Sequence, residues 1–409
     1  MTEGATTKPV LLVLASTYPR WRGDYEPGFV HELSRRLVER FQVIVLCPHA
    51  PGADRRERLD GVEIIRFRYA PSRLETLVNG GGIAVNLRRS KWKVLLVPLF
   101  LVAQLAVLVS VLARRRVDAI HAHWIIPQGL LACVAKVLAR SHAPLLVTSH
   151  GADVFALRGG VFDAVRRYVL HRAGALTVVS RALMDRLLPQ MPAKRLVEII
   201  PMGVDLEATF TASPTIERDP HLILFVGRLV EKKGVIHLVR AMVAIRRKQP
   251  SARLEIVGFG PEEPALRVAV QRLGLQTVVH FMGPALPASL PAVYRRAGVF
   301  VAPFVEADSG DQEGLGLVVV EALGCGCPIV VGNVGAVADT LGPHFRDVAV
   351  DASDEDALAD RIVSVMSAGP ASQRALAASV LERFDWKVIA GRYDTLLWRL
   401  IRNPCVGDR

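Results

Sequence analysis

Short apolar runs alternate with longer amphipathic stretches along the whole 409-residue chain, and the alternation restarts once. The first series puts strand candidates at 10–15, 41–47, 61–66, 119–122, 145–148 and 175–179, with helix candidates such as 28–40 and 130–140 between them. The second series runs through 222–226, 253–257, 278–281, 299–303 and 328–331. A parallel return between strands needs a crossover long enough to hold a helix, so strand–helix–strand in series predicts parallel sheets covered by helices.

Two such series predict an α/β chain of two Rossmann-like domains, at 1–205 and 206–385. The break falls within 200–220, where Pro201-Met-Gly203-Val-Asp205 is followed by Thr211-Ala-Ser-Pro-Thr215, a turn and linker composition. A helix at 386–402 opens the last segment, 386–409. Hydrophobic content of 51% against 22% charged residues fits a packed globular protein. Five cysteines without a Cys-x-x-Cys pair argue against a disulfide framework and fit a reducing compartment. Cys325-Gly-Cys327 reads as small buried residues in preference to a metal pair. The N-terminal residues run directly into the first apolar strand, so no secretory leader is expected.

The net charge of +12 is uneven. Residues 1–205 carry 29 Lys and Arg against 16 Asp and Glu, whereas residues 206–409 carry 22 against 23. The first half is therefore expected to face something anionic, such as a membrane surface or a lipid phosphate. Nucleic acid ranks last among such partners, since aromatic content is 6% and no recognition motif occurs. Residues 94–113 hold no formal charge, with Lys91-Trp92-Lys93 before them and Arg114-Arg115-Arg116 after. Three readings stand for this segment: a buried domain helix, an interfacial helix partly in lipid, and a membrane span.

Two stretches of the second series carry chemistry. In Gly227-Arg228-Leu-Val-Glu-Lys232-Lys233-Gly234 an apolar strand ends on glycine, and a guanidinium and two ammonium groups follow at its carboxyl end, where open parallel sheets bind ligands. Arg228 offers a planar fork to phosphate and Lys232 or Lys233 a point charge; a solvated basic loop is the plainer alternative. In Glu313-Gly314-Leu315-Gly316-Leu317 a glycine turn opens an apolar helix whose first amides suit a diphosphate. Glu321 is expected about two turns along that helix, where a carboxylate can accept hydrogen bonds from paired sugar hydroxyls. Glu313, at the helix mouth, would meet the sugar itself, unless it only caps the helix.

Weaker signals accompany these. Gly258-Phe-Gly260 follows a strand and could hold a base or ribose through the backbone. His121-Ala-His123 and Thr148-Ser149-His150-Gly151-Ala152-Asp153 end consecutive strands and deliver histidines to one sheet edge. A site wall is one reading and a satisfied structural histidine the other; the spacing is weak for zinc. Asp308-Ser-Gly-Asp311 invites a divalent cation, but the neighbouring cations and amides favour a metal-free site.

Together these motifs resemble the retaining glycosyltransferases of group 1, family four. They are Gly-Arg-Leu-x-x-Lys-Lys-Gly at 227–234, Glu-x7-Glu at 313–321, His150-Gly-Ala-Asp153 and Pro201-Met-Gly-Val-Asp205. The resemblance implies a GT-B fold, two Rossmann-like domains with parallel sheets facing a central cleft. It implies that the C-terminal domain binds a nucleotide diphosphate-sugar and the N-terminal domain an acceptor, a saccharide or a lipid-linked one, in cell-envelope or exopolysaccharide biosynthesis. It carries Arg228 and Lys233 over as diphosphate ligands and Glu321 as a ribose ligand. Glu313 becomes a sugar-contacting catalytic residue, and His150 a contact to the donor sugar. Gly314, Leu315, Gly316, Leu317, Gly258 and Gly260 complete the donor side; His121, His123 and Asp153 are candidates on the acceptor side. Gly23, in the loop 22–28 after the first strand, matches the family's loop near the diphosphate, although the usual adjacent glycine pair is missing. Met202 stands where the family commonly has asparagine. The final helix would cross back onto the first domain. No metal or other cofactor is expected, and the enzyme would sit in the cytoplasm or peripherally on the inner face of the plasma membrane. A sugar-nucleotide epimerase and a non-enzymatic sugar-nucleotide-binding protein are the competing readings.

Overall fold

The computed structural model describes residues 8–24, 28–80, 82–155, 157, 159–192 and 195–403. The chain divides into two compact units, one made of residues 1–179, 183–200 and 389–409, the other of 180–182 and 201–388. The helix Trp386–Arg402 therefore belongs to the second unit through Val388 and to the first from Ile389.

The first unit holds an eight-stranded sheet. Its strands are β1 (Val10–Leu14), β2 (Gln42–Pro48), β3 (Arg56–Leu59), β4 (Val62–Phe67), β5 (Ala119–His123), β6 (Leu145–Ser149), β7 (Ala175–Val178) and β8 (Leu196–Ile199), in the order β3-β4-β2-β1-β5-β6-β7-β8. Every pairing is parallel except β3 with β4. The central strands are buried on both faces, which is why they read as unbroken apolar runs. From β1 the chain builds outward through β2 and then crosses to β5. The order thus reverses between β1 and β5, and the carboxyl ends of these two strands flank a crevice suited to a ligand.

The second unit holds a six-stranded, wholly parallel sheet: β9 (Asp219–Val226), β10 (Arg253–Val257), β11 (Val279–Gly283), β12 (Ala297–Ala302), β13 (Ile329–Gly332) and β14 (Ala349–Val350), ordered β11-β10-β9-β12-β13-β14. Its reversal lies between β9 and β12. Ile223, Phe225, Leu254, Ile256, Val299 and Val301 from the sheet pack with Leu238, Met242, Ile245, Leu358 and Ile362 from the helices Val235–Lys248 and Glu355–Ala368, so the core fixes where the strand ends point. In the connection between units, a Cβ on Gly203 would fall 2.6 Å from the Trp386 ring, and Asp205 caps the following turn through the Ala208 amide and the Thr209 hydroxyl. The Pro201–Asp205 motif is thus built into packing.

The uncharged segment 94–113 lies within a short helical turn, Lys91–Leu95, and the helix Leu96–Arg114. Leu96, Phe100, Gln104, Leu108, Val111 and Leu112 form one buried stripe against the helix Leu130–Leu138 and the β2/β4 side of the sheet. The expectation of a buried domain helix holds for that stripe alone; the opposite face is open to solvent. By length and composition this segment could cross a membrane, and among the described residues it is the one helix that could.

Candidate functional site

The loops that leave β9 and β12 come together over the reversal point of the second sheet. Glycine is what allows their approach. A Cβ on Gly234 would sit 1.8 Å from the Pro303 carbonyl oxygen, and Gly234 also has φ +63. A Cβ on Gly258 would sit 1.9 Å from the Gly227 carbonyl oxygen, and one on Gly260 would sit 2.1 Å from that of Leu229. Backbone hydrogen bonds follow: Gly227 N–H to Val257 at 3.0 Å, Leu229 N–H to Phe259 at 2.9 Å and Val305 N–H to Lys232 at 3.0 Å. Gly258 and Gly260 are needed where β9 and β10 unravel side by side, whatever else their backbone contacts.

This scaffold brings the two charged motifs to one place. Lys233 Nζ lies 2.8 Å from Glu313 Oε2, with both side chains mostly buried, and it also stands 4.3 Å above the centre of the Phe304 ring. Lys232 Nζ reaches Asp311 Oδ1 at 3.2 Å and donates to the Gln312 carbonyl at 2.9 Å. The Asp308 amide donates to Glu231 at 2.6 Å. Burial alone would raise the Glu313 carboxyl; Lys233, Lys232 and Arg228 more than reverse this and hold it well below the usual range. Glu313 is therefore an anion throughout the physiological range. The aspartates read as candidate cation ligands are tied to this loop, Asp311 by its ion pair with Lys232 and Asp308 by its own amide.

Helix formation begins at Leu317, with Gly316 left-handed at φ +78 before it, so Glu321 stands about one turn into the helix Leu317–Gly324, short of the two turns expected. A side chain at 316 is disfavoured twice, by φ and by the Phe304 ring, 3.2 Å from where a Cβ would lie, which would have to shift. The Thr340 hydroxyl donates to the Leu315 carbonyl at 2.8 Å and fixes the turn from behind. Glu321 is half-buried and accepts a 2.9 Å hydrogen bond from the hydroxyl of Tyr294, whose side chain is wholly buried. Burial pushes the Glu321 carboxyl up to about 7, against the lowering pull of the Tyr294 hydroxyl and Lys233. Tyr294 was not legible beforehand; it sits in the short helix Leu290–Arg296 among residues with no chemical signature. Cys325 and Cys327 are buried free thiols, both pushed up to about 12 by burial; Cys405 lies outside the described residues.

The first unit assembles its histidines as the strand ends predict. His123 Nδ1 and His150 Nε2 are 2.9 Å apart, and His121 Nε2 lies 2.7 Å from the Thr148 hydroxyl, which is itself 2.6 Å from that of Thr177. Burial pushes His121 and His150 down to about 3 and His123 well below its usual value. All three are neutral near pH 7, so one member of the His123–His150 pair donates an N–H to the other. Asp153 takes the Ile125 amide at 2.7 Å and the Ser149 hydroxyl at 2.8 Å, which makes it the brace of the loop after β5. That loop contains Trp124 at φ +78, a costly conformation for a non-glycine residue. The rings of Phe29 and Trp124 lie 4.9 Å and 5.0 Å from that of His150. Gly23, at φ +76, turns the loop after β1, where Asp24 is paired with Arg20. Tyr25, Glu26 and Pro27 of the motif 22–28 lie outside the described residues. Among the described residues no group of three or more His, Cys, Asp or Glu side chains is arranged to hold a metal ion.

Comparison with known proteins bears on both units. The family described as glycosyl transferases group 1 matches residues 208–379, and glycosyltransferase family 4 matches residues 29–208. A GDP-mannose-dependent α-(1-6)-phosphatidylinositol monomannoside mannosyltransferase from Mycobacterium tuberculosis is 27% identical over 406 residues, 95% of this chain and 96% of the relative. The protein of the same description from Mycolicibacterium smegmatis is 30% identical over 293 residues, 67% of this chain and 75% of the relative. Among solved structures, sucrose-phosphate synthase from Thermosynechococcus elongatus has the same fold, with a TM-score of 0.75 and 22% identity over 97% of this chain and 100% of the other.

Proposed function

The chain belongs to the group 1 glycosyltransferases, with the GT-B fold, and from that membership we propose that it transfers a mannosyl residue from GDP-mannose to a lipid-linked acceptor of the phosphatidylinositol mannoside type, with retention of configuration. The observation that carries the proposal is the Lys233–Glu313 ion pair at the carboxyl ends of β9 and β12, with the charges of Lys232 and Arg228 acting on Glu313 and that of Lys233 on Glu321. The named activities of the relatives support the choice of sugar, base and acceptor class, and the charged site supports the chemistry.

Transfer breaks the bond between the sugar's C1 and the phosphate oxygen and forms one between C1 and an acceptor hydroxyl oxygen. The hydroxyl proton passes to the departing phosphate oxygen, and a nucleoside diphosphate leaves. The leaving group gains negative charge as the bond opens, so fixed cations that need no reorganisation lower the barrier most. Arg228 and Lys233 are assigned to the diphosphate, with the amides of Gly314–Leu317 beside them. Glu321 takes the ribose hydroxyls. Glu313, ionised and paired, is a poor general acid; its role is to orient the sugar and support positive charge developing at C1. His150 is assigned to the sugar, with Gly23, His121, His123 and Asp153 building the walls of the first unit's crevice. No covalent sugar–enzyme intermediate is required if the acceptor attacks from the face the leaving group vacates. With cations already facing the diphosphate, the reaction is proposed to proceed without a metal.

The test is release of GDP from GDP-mannose in the presence of a phosphatidylinositol mannoside acceptor. Turnover of the donor without any acceptor, returning an isomerised nucleotide sugar, would replace this reading with an epimerase.

A further inference from the structure

The helix Leu96–Arg114 is apolar all round but packed on one side only. Its buried stripe is part of the first unit's core. On the other side Val94, Leu95, Leu99 and Val102 are 52–68% exposed, Trp92 is 48% exposed, and Pro98, Ala106 and Ala113 extend the open face at helical spacing. No carboxylate lies anywhere between Glu75 and Asp118. The exposed cations Arg88, Arg89 and Lys91 stand before the helix, and Arg114 and Arg116 after it. A monomer surface rarely gathers large apolar side chains this way unless something covers them.

We propose that this face lies in the plane of an anionic bilayer, with Leu95, Leu99 and Val102 in the acyl boundary, Trp92 at headgroup level and the flanking arginines against lipid phosphates. Three features choose lipid over a protein partner. The open stripe of Val94, Leu95, Leu99, Val102, Ala106 and Ala113 is apolar, with Ser110 its one hydroxyl and the Trp92 indole at its end. Cations sit at both ends of the stripe, where a helix lying flat meets headgroups. The excess positive charge of the chain is confined to residues 1–205. A transmembrane span is excluded by the same packing, because drawing the helix into a bilayer would strip Phe100, Leu108 and Val111 from the β2/β4 side of the sheet. The inference depends on the helix alone and stands whether or not the transfer reaction is as proposed.

Co-sedimentation of the full chain, without nucleotide sugar, with phosphatidylglycerol-containing vesicles tests it. Binding is expected to anionic vesicles, to be much weaker to pure phosphatidylcholine, and to be reduced by salt. Leu99→Glu with Val102→Glu should lower partitioning by at least about tenfold, and Arg88→Glu with Arg89→Glu by roughly fivefold or more per site. Thermal unfolding should be unchanged in both double variants, since these side chains are exposed. Two results overturn the proposal: vesicle binding that the Leu99 and Val102 substitutions leave intact, or an oligomer in solution that those substitutions convert to monomer.

Discussion

The Lys233 ammonium meets the Glu313 carboxylate at 2.8 Å, although the two belong to loops that follow different strands of the second sheet. Each motif carries its own charge, and the pairing keeps both charges in place when no ligand is bound. Breaking a buried pair from one side leaves the other charge uncompensated. Glu313→Gln is expected to destabilise the fold by about 1–3 kcal/mol near neutral pH. Because the folded carboxyl titrates below its unfolded value, this stabilisation is present above the unfolded value and is lost as pH falls through the folded one. Denaturant unfolding should therefore show the wild type and Glu313→Gln converging in strongly acidic solution; a constant difference down to pH 3 would contradict the pairing.

Glu321 gives the opposite sign. Its folded carboxyl is raised to about 7, so its ionisation weakens the fold as pH rises through that value. Glu321→Gln should unfold at a higher temperature than wild type at pH 8, by a difference on the order of 1–3 kcal/mol, while its KM for the donor rises. Donor KM of the wild type should fall between pH 6 and pH 8 as the ribose-binding anion forms. Tyr294→Phe removes the hydrogen bond that favours the anion, so the inflection should move to higher pH. An unmoved inflection would show that Tyr294 serves packing only.

Two glycines of the second unit, Gly258 after β10 and Gly274 between the helix Glu263–Arg272 and β11, separate close approach from backbone freedom. Gly258→Ala would drive a Cβ into the Gly227 carbonyl and is expected to cost more than about 3 kcal/mol. Gly274→Ala, at φ +69 in open space, should cost about 1–2 kcal/mol. Equal costs in chemical denaturation would mean that Gly258 does not approach the Gly227 carbonyl as described.

The imidazoles of His121, His123 and His150 should stay neutral. No ring proton of His121, His123 or His150 is expected to titrate between pH 5 and pH 8 by NMR, since burial holds all three well below that window. Any of them titrating near 6.5 would break the account of the His123–His150 pair.

Much of this was legible in the sequence. Strands buried on both faces, such as β1 and β12, appear as apolar runs, and the polar side chains that β5 and β6 bury are paired, as His121 is with Thr148. Three of the four edge strands were not: β3 is Arg-Glu-Arg-Leu, charged because an edge faces water, β8 is half-exposed throughout, and β14 has two residues; the fourth, β11, overlaps the expected run 278–281. The charges and glycines of 227–234 and 313–321 announced a site, but one-dimensional spacing carries no distance. The Lys233–Glu313 pair, the Tyr294–Glu321 hydrogen bond and the His123–His150 contact therefore emerged only in three dimensions. For the segment 94–113 three readings stayed open for a different reason: a helix apolar on every side gives no periodicity from which to choose its buried face.

A chelator should leave transfer unchanged if Arg228, Lys232 and Lys233 supply the charge that the diphosphate needs. A loss of activity in EDTA, restored by a divalent cation, would require a metal that the proposed chemistry does without.

The most direct measurement is GDP release from GDP-mannose with a phosphatidylinositol mannoside acceptor, compared between wild type and Arg228→Ala. The wild type should release GDP in step with mannosylated lipid, and the variant should lose at least about a hundredfold in kcat/KM. Wild-type release by Arg228→Ala, or no release from this or any other nucleotide sugar, would contradict the assignment.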